Sequence, residues 1–153
     1  MPELQPVRGV IVEDCQEKFD ALNAAFQEAG GQLVAWATSY DAAIELINNR
    51  VLSPQKTDVA FIDADLGLRR SEGRQLHLQL CQLGHIATSP QTPDPRSIVT
   101  VGASSVPYMA QEIGTPAIQD GQPLIVEWEY VPLVAVNLPE ILQEVRLLKP
   151  ALS

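Results

Sequence analysis

DVAFIDADLG, residues Asp58 to Gly67, decides the reading of this chain: the apolar run Val59-Ala60-Phe61-Ile62 closes abruptly in Asp63 and Asp65. A short run of strand formers bounded by polar residues and glycine reads as a buried strand of a parallel sheet, whose two faces are both covered by helices. Ligands of such sheets bind beyond the carboxyl ends of the strands, so Asp63 falls at the rim of a site. Val10-Ile11-Val12-Glu13-Asp14 repeats the pattern nearer the N-terminus. Two such strands lying side by side bring Glu13, Asp14 and Asp63 within a few ångströms of one another. Three carboxylates that close repel, and a divalent cation neutralises them. An all-oxygen set suits Mg²⁺, which takes a few carboxylates and keeps several waters. On repulsion alone, neutralising Asp63 should stabilise the metal-free protein.

Working outward, Val7–Val12 is the first strand, and residues 16–29 place Phe19, Leu22, Ala25, Phe26 and Ala29 at helical spacing before Gly30-Gly31. Leu33–Ala37 reads as a second strand. Ser39-Tyr40-Asp41 is a cap signal for a helix that buries Ala42, Ala43, Leu46 and Ile47. After the central strand come a loop, Leu68 to Gly73, and a helix over about 73–83. Residues 84–97 carry three prolines and read as a long surface loop. Ile98–Val101 is a fourth strand, followed by a short helix from Val106 to Ile113. Between Thr115 and Asn137 two assignments of the fifth strand stay open, 115–118 and Leu133–Val136. Asp120-Gly121 is a hairpin turn signal within that stretch. Residues 119–131 are expected outside the minimal fold as a hairpin or extra strand. Leu138–Leu148 is an amphipathic helix with Pro139 in its first turn.

At 153 residues the chain has the length of one domain, 1–153, with room for a substantial core. Its net charge of −9, from 19 acidic against 10 basic residues, argues against nucleic-acid binding. It holds no apolar run long enough to span a membrane, and MPELQPVRG lacks the apolar core of a signal peptide. Cys15 and Cys81 form no CxxC pair and read as free thiols of a reducing compartment, so the chain is expected to be cytoplasmic. His77 and His85 have no partner at zinc-ligand spacing. In VEWEYV, Trp128 and Tyr130 alternate with glutamates, a half-exposed strand that packs on its own domain or, as the alternative, offers a partner or dimer surface.

Residues 7–67 resemble the receiver domain of bacterial two-component response regulators, through the acidic pair Glu13-Asp14 after the first strand and Asp63 closing the third. The resemblance implies a flavodoxin-like (CheY-like) α/β fold, with a doubly wound five-stranded parallel sheet in the order 2-1-3-4-5. It implies Asp63 as acceptor of a phosphoryl group from a histidine kinase or phosphotransfer protein. Glu13, Asp14, Asp63 and the backbone carbonyl of Asp65 would hold Mg²⁺. The module would be non-enzymatic and would act by contact with a downstream protein partner, as a monomer or a homodimer, with no DNA-binding output segment after Ser153.

The chain departs from the family in its switch residues. Gly102 falls where the fourth strand has a Thr or Ser, with Ala103 as the small residue after it; Thr100, Ser104 and Ser105 fit the hydroxyl role only in another register. With Leu133–Val136 as strand five, Ala135 falls at the lysine position, while Lys149-Pro150 has the family's pair of residue types but follows the last helix. Arg69, Arg70 and Arg74 lie near the site in sequence; arginines so placed usually form a solvated face, and the alternative is that they lend charge to the site. A phosphoryl group brings a charge of about −1.5 to −2 and needs such compensation. Without it, Asp63 is expected to be accessible but to switch weakly, because a ligand with no differential affinity shifts no equilibrium. The alternatives are a phosphorylation-independent pseudo-receiver interaction module and a haloacid dehalogenase-like phosphatase. The latter shares only Asp63-Ala64-Asp65, with the first Asp as nucleophile and the second as acid/base.

Overall fold

The computed structural model describes residues 5–66, 72–86 and 97–149. The chain runs β1 (Val7–Val12), α1 (Gln16–Glu28), β2 (Gly31–Ala37), α2 (Tyr40–Asn48), β3 (Val59–Ile62), α3 (Glu72–Gln82), β4 (Val99–Gly102), α4 (Pro107–Gln111), β5 (Trp128–Glu129), β6 (Val134–Ala135) and α5 (Leu138–Leu148). Four strands form a parallel sheet in the order β2-β1-β3-β4, so the DVAFID strand lies inside the sheet, between β1 and β4. This is the doubly wound, flavodoxin-like α/β arrangement expected from the alternation of strands and helices.

The pleat explains why the strands are apolar on both faces. Val7, Ile11, Val59, Phe61, Val99 and Val101 point to the layer of α1 and α5, where Phe19, Leu22, Phe26, Leu138, Ile141, Leu142 and Val145 meet them. Val10, Val12, Ala60 and Ile62 point to the other layer, against Ala43 of α2 and Leu76 and Leu80 of α3. A substitution such as Phe61→Ala would cost about 3–5 kcal/mol by emptying this fully buried centre.

Of the two expected fifth strands, 115–118 joins β4 only at its start, by the Thr115 N–H to the Thr100 carbonyl (2.8 Å), and Leu133–Val136 pairs elsewhere. Thr115–Ala117 and Gln122–Leu124 form a tight hairpin, closed by the Leu124 N–H to the Thr115 carbonyl (2.9 Å) and the Ala117 N–H to the Gln122 carbonyl (2.8 Å). Its turn falls at Asp120-Gly121, where Gly121 takes a φ of 71° that side-chain-bearing residues avoid. The chain then runs parallel to β4: Gly102 donates to the Leu124 carbonyl (2.9 Å) and accepts from the Val126 N–H (2.8 Å). Residues 124–126, placed in sequence outside the minimal fold, thus occupy the fifth position as a stub. Val134–Ala135 instead pairs antiparallel with Trp128–Glu129 in a separate two-stranded ribbon. Local pattern did not separate these candidates, since all three segments are short and apolar. Asn137 finishes the edge, donating through Nδ2 to the Ile125 carbonyl (2.8 Å) and accepting the Glu127 N–H at Oδ1 (2.8 Å).

At the amino ends of the strands, Asp58 is buried and held by Arg8, through its backbone N–H (2.8 Å), Nε (3.1 Å) and Nη2 (3.1 Å). Lys149 completes this cluster, with Nζ 3.7 Å from Asp58 Oδ1 and donating to the Ser97 carbonyl at 2.8 Å. Lys149 therefore lies at the edge of the sheet opposite to Asp63 and serves packing. Arg69, Arg70 and Pro150 fall outside the described residues.

Candidate acid pocket at the carboxyl edge of the sheet

The sheet register builds the pocket. Val12 pairs with Ile62, and Ile62 with Gly102, so Glu13, Asp63 and Ala103 follow in one row as the strands end. Backbone bonds fix the row: Glu13 N–H to the Ala37 carbonyl (3.0 Å), Asp63 N–H to that of Val12 (3.0 Å), and Ala103 N–H to that of Ile62 (2.9 Å). Ligand oxygens of Glu13, Asp14 and Asp63 all lie within 4.8 Å of one another, with Glu13 and Asp63 buried and Asp14 exposed. The sequence placed these three residues together correctly. Asp65 is exposed, and among the described residues its carboxylate is not part of the group; its backbone N–H donates to Asp63 Oδ1 at 3.0 Å.

A fourth side chain, absent from the sequence reading of the site, enters from α1. Lys18 Nζ lies 3.1 Å from Asp63 Oδ2 and 3.3 Å from Glu13 Oε2, with only 16% of its side chain exposed. Its ammonium also sits 5.6 Å from the centre of the Trp128 ring. Lys18 is the third residue of α1. There the helix dipole disfavours a cation, so a lysine just after an acidic strand end is a readable sign that carboxylates face it. Trp36 stacks on Phe19 (3.8 Å between centroids) and donates to the Glu13 carbonyl (2.7 Å), while Trp128 donates to the Ala103 carbonyl (3.2 Å). Both tryptophans thus buttress the strand ends, and Trp128 packs on its own domain; Tyr130 remains exposed.

The electrostatics follow from this packing. Burial pushes the Glu13 carboxyl up to about 8, with the Asp63 charge adding to the effect and Lys18 opposing it. Burial by itself lowers the Lys18 ammonium, but the charges of Asp63 and Glu13 outweigh it and the net shift is upward. Glu13 must lose its proton before it can ligate a metal, so metal binding competes with protonation there. The donor set fits a hard divalent cation: it is all oxygen, and Glu13 Oε2 is the one buried polar side-chain atom among the described residues without a hydrogen bond.

Several expectations are corrected. Asp63 is 4% exposed, closed over by its neighbours rather than accessible. Gly102 has no room for a hydroxyl-bearing side chain, because a Cβ there would overlap the Ala110 carbonyl and lie 2.7 Å from the Ala110 Cα. Thr100 Oγ1 is spent on the Ile113 carbonyl (2.7 Å), and Ser104 Oγ accepts the Val106 N–H (3.1 Å) at the start of α4. Ala135, assigned to the lysine position, lies in the ribbon; the stub beside β4 runs out in Val126-Glu127, so a carboxylate follows it. Arg74, by contrast, takes the solvated surface role expected first for these arginines and pairs with Glu112 (3.4 Å).

No protein-family model and no curated protein matches the sequence. Solved structures do. A CheY-like response regulator receiver domain from Methylobacillus flagellatus superposes with a TM-score of 0.60 at 21% identity, over 92% of this chain and 98% of that one. NtrX from Brucella abortus matches with a TM-score of 0.60 at 18% identity, over 95% of this chain but 28% of its own length. A variant of the anti-anti-sigma factor PhyR from Bartonella quintana gives a TM-score of 0.57 at 14% identity, over 96% of this chain and 49% of that one. The chain thus spans nearly all of the first of these structures and half or less of the other two. Its fold is that of the CheY-like receiver domain. No helix among the described residues is long and apolar enough to cross a membrane.

Proposed function

We propose, starting from the receiver fold, that this chain is a receiver-like signalling module of a two-component phosphorelay that acts by protein–protein contact. The supporting observation is the meeting of Glu13, Asp14 and Asp63 at the carboxyl edge of the sheet. In this reading Asp63 is the phosphoacceptor and must first be uncovered from its buried place beside Lys18; the P–N bond of a kinase or phosphotransfer histidine then breaks as a P–O bond to the Asp63 carboxylate forms. Glu13, Asp14, Asp63 and the backbone carbonyl of Asp65 would hold Mg²⁺, which neutralises the incoming phosphoryl charge. Lys18 steadies the acceptor carboxylate and Asp65 N–H orients it. The exposed Tyr108 and Tyr130 offer aromatic anchors to a downstream protein or a second copy. The exposed Asp65 carboxylate, outside the group of Glu13, Asp14 and Asp63, supports a signalling module over a dehalogenase-type phosphatase, whose second aspartate would have to face the first; the module is expected in the cytoplasm.

A second reading, a phosphorylation-independent interaction module, is favoured by the seating of Ala110 on Gly102, which leaves the fourth strand no hydroxyl to draw inward. Acetyl phosphate or beryllofluoride with Mg²⁺, applied with Asp63→Asn as control, separates the two. A phosphate-driven switch changes partner or self-association affinity about tenfold or more, whereas an interaction module keeps it within about threefold. Absence of any partner-binding activity, modified or not, would refute both.

A further inference from the structure

We infer that Lys18 is a tethered counter-ion that holds the place of a divalent cation in the acid pocket, so that metal binding must displace it. The ammonium touches Asp63 and Glu13, two of the three carboxylates whose oxygens are near enough to share one ion. Its position is set by those carboxylates, since the first turn of a helix repels a cation.

The pocket also shows what the ammonium leaves undone. Glu13 Oε2 is buried and has no hydrogen bond, although Lys18 Nζ is 3.3 Å away. Lysine supplies charge at that oxygen without saturating it. A Mg²⁺ ion held by the same carboxylates at about 2.0–2.1 Å would bring two cations side by side against one set of acids. The two occupants are therefore mutually exclusive. Lysine can yield because its ammonium rides on a flexible four-carbon stem.

This inference rests on the reading of the pocket as a cation site, and the test keeps the two apart. Mn²⁺ would be titrated into the full chain, with the free ion followed by its paramagnetic resonance. The wild type would be compared with Lys18→Met and with Lys18→Gln, which keeps a donor for Asp63. Both variants should bind Mn²⁺ about tenfold or more tightly than the wild type. In the wild type, Mg²⁺ should also shift the Trp128 indole N–H resonance, because Lys18 leaves the ring; this readout needs no variant. Equal or weaker Mn²⁺ binding by both variants overturns the inference and leaves the metal site standing. No binding by any of the three proteins overturns the metal site and the inference together.

Discussion

Restoring a hydroxyl at the end of β4 should break the domain rather than repair a switch. In Gly102→Thr the new Cβ would meet the carbonyl of Ala110, a backbone atom of α4 whose residue is fully buried. Gly102 cannot retreat, because its N–H and carbonyl are both bonded to residues 124–126 at 2.9 and 2.8 Å, and Ala103 is bonded to β3 at 2.9 Å. Forcing atoms into a packed site costs about 1–3 kcal/mol. Burying an unmatched hydroxyl adds about 1–3 kcal/mol. Gly102→Thr should therefore lose about 2–6 kcal/mol, a large part of the roughly 5–15 kcal/mol that holds a domain. Gly102→Ala should lose about 1–2 kcal/mol, since the favourable backbone term of about 0.5–1 kcal/mol offsets part of the clash. Urea unfolding at constant m-value measures both. An alanine variant as stable as the wild type, or a threonine variant that is stable and gains a response to beryllofluoride, would refute the seating of α4 on β4.

Other outcomes follow from the charges. Burial and Asp63 raise Glu13 from 4.5 to about 8 on folding, so its contribution to stability is complete below pH 4.5 and fades as pH rises through 8. Metal-free protein should lose on the order of a few kcal/mol between pH 5 and pH 8, and Glu13→Gln should flatten that slope in pH-dependent urea melts. Mg²⁺ stabilisation should grow over the same interval, because the metal needs Glu13 deprotonated. Asp63→Asn should cost about 1 kcal/mol in metal-free thermal melts, because it removes a partner of Lys18; repulsion alone had predicted the opposite sign. Asp58→Asn should cost about 3 kcal/mol by leaving Arg8 and Lys149 short of a buried counter-charge, with Mn²⁺ affinity unchanged at the far edge of the sheet.

How far the sequence could be read depends on the range of each interaction. VIVED and DVAFID each announce a strand and its acidic end within a few residues, and parallel pairing alone then brings Glu13, Asp14 and Asp63 together. The partner of those carboxylates was harder to find. Lys18 reaches Asp63 across 45 positions of sequence; its unfavourable place in the first turn of α1 was a local sign of facing carboxylates, but which carboxylates it meets depends on how α1 leaves β1. Lys149 was suggestive because a proline follows it, but the end of α5 delivers it to Asp58 instead. In TPAIQDGQPLIVEWEYVPLVAV the turn at Asp120-Gly121 was legible from its residue types. Which apolar run would join the sheet was not, because that depends on hydrogen bonds from Gly102 and a single side chain, Asn137.

That side chain has a consequence for association between copies. With one amide group Asn137 offers Ile125 and Glu127 the donor and acceptor that a neighbouring strand would supply. The sheet thereby ends in a residue instead of an open ladder, and an open ladder is what recruits another chain's strand. At the opposite side β2 pairs only with β1 among the described strands. Continuation of this sheet into a second molecule would therefore begin along Gly31–Ala37, and replacing Asn137 by a residue without the amide would open a second front at residues 125–127.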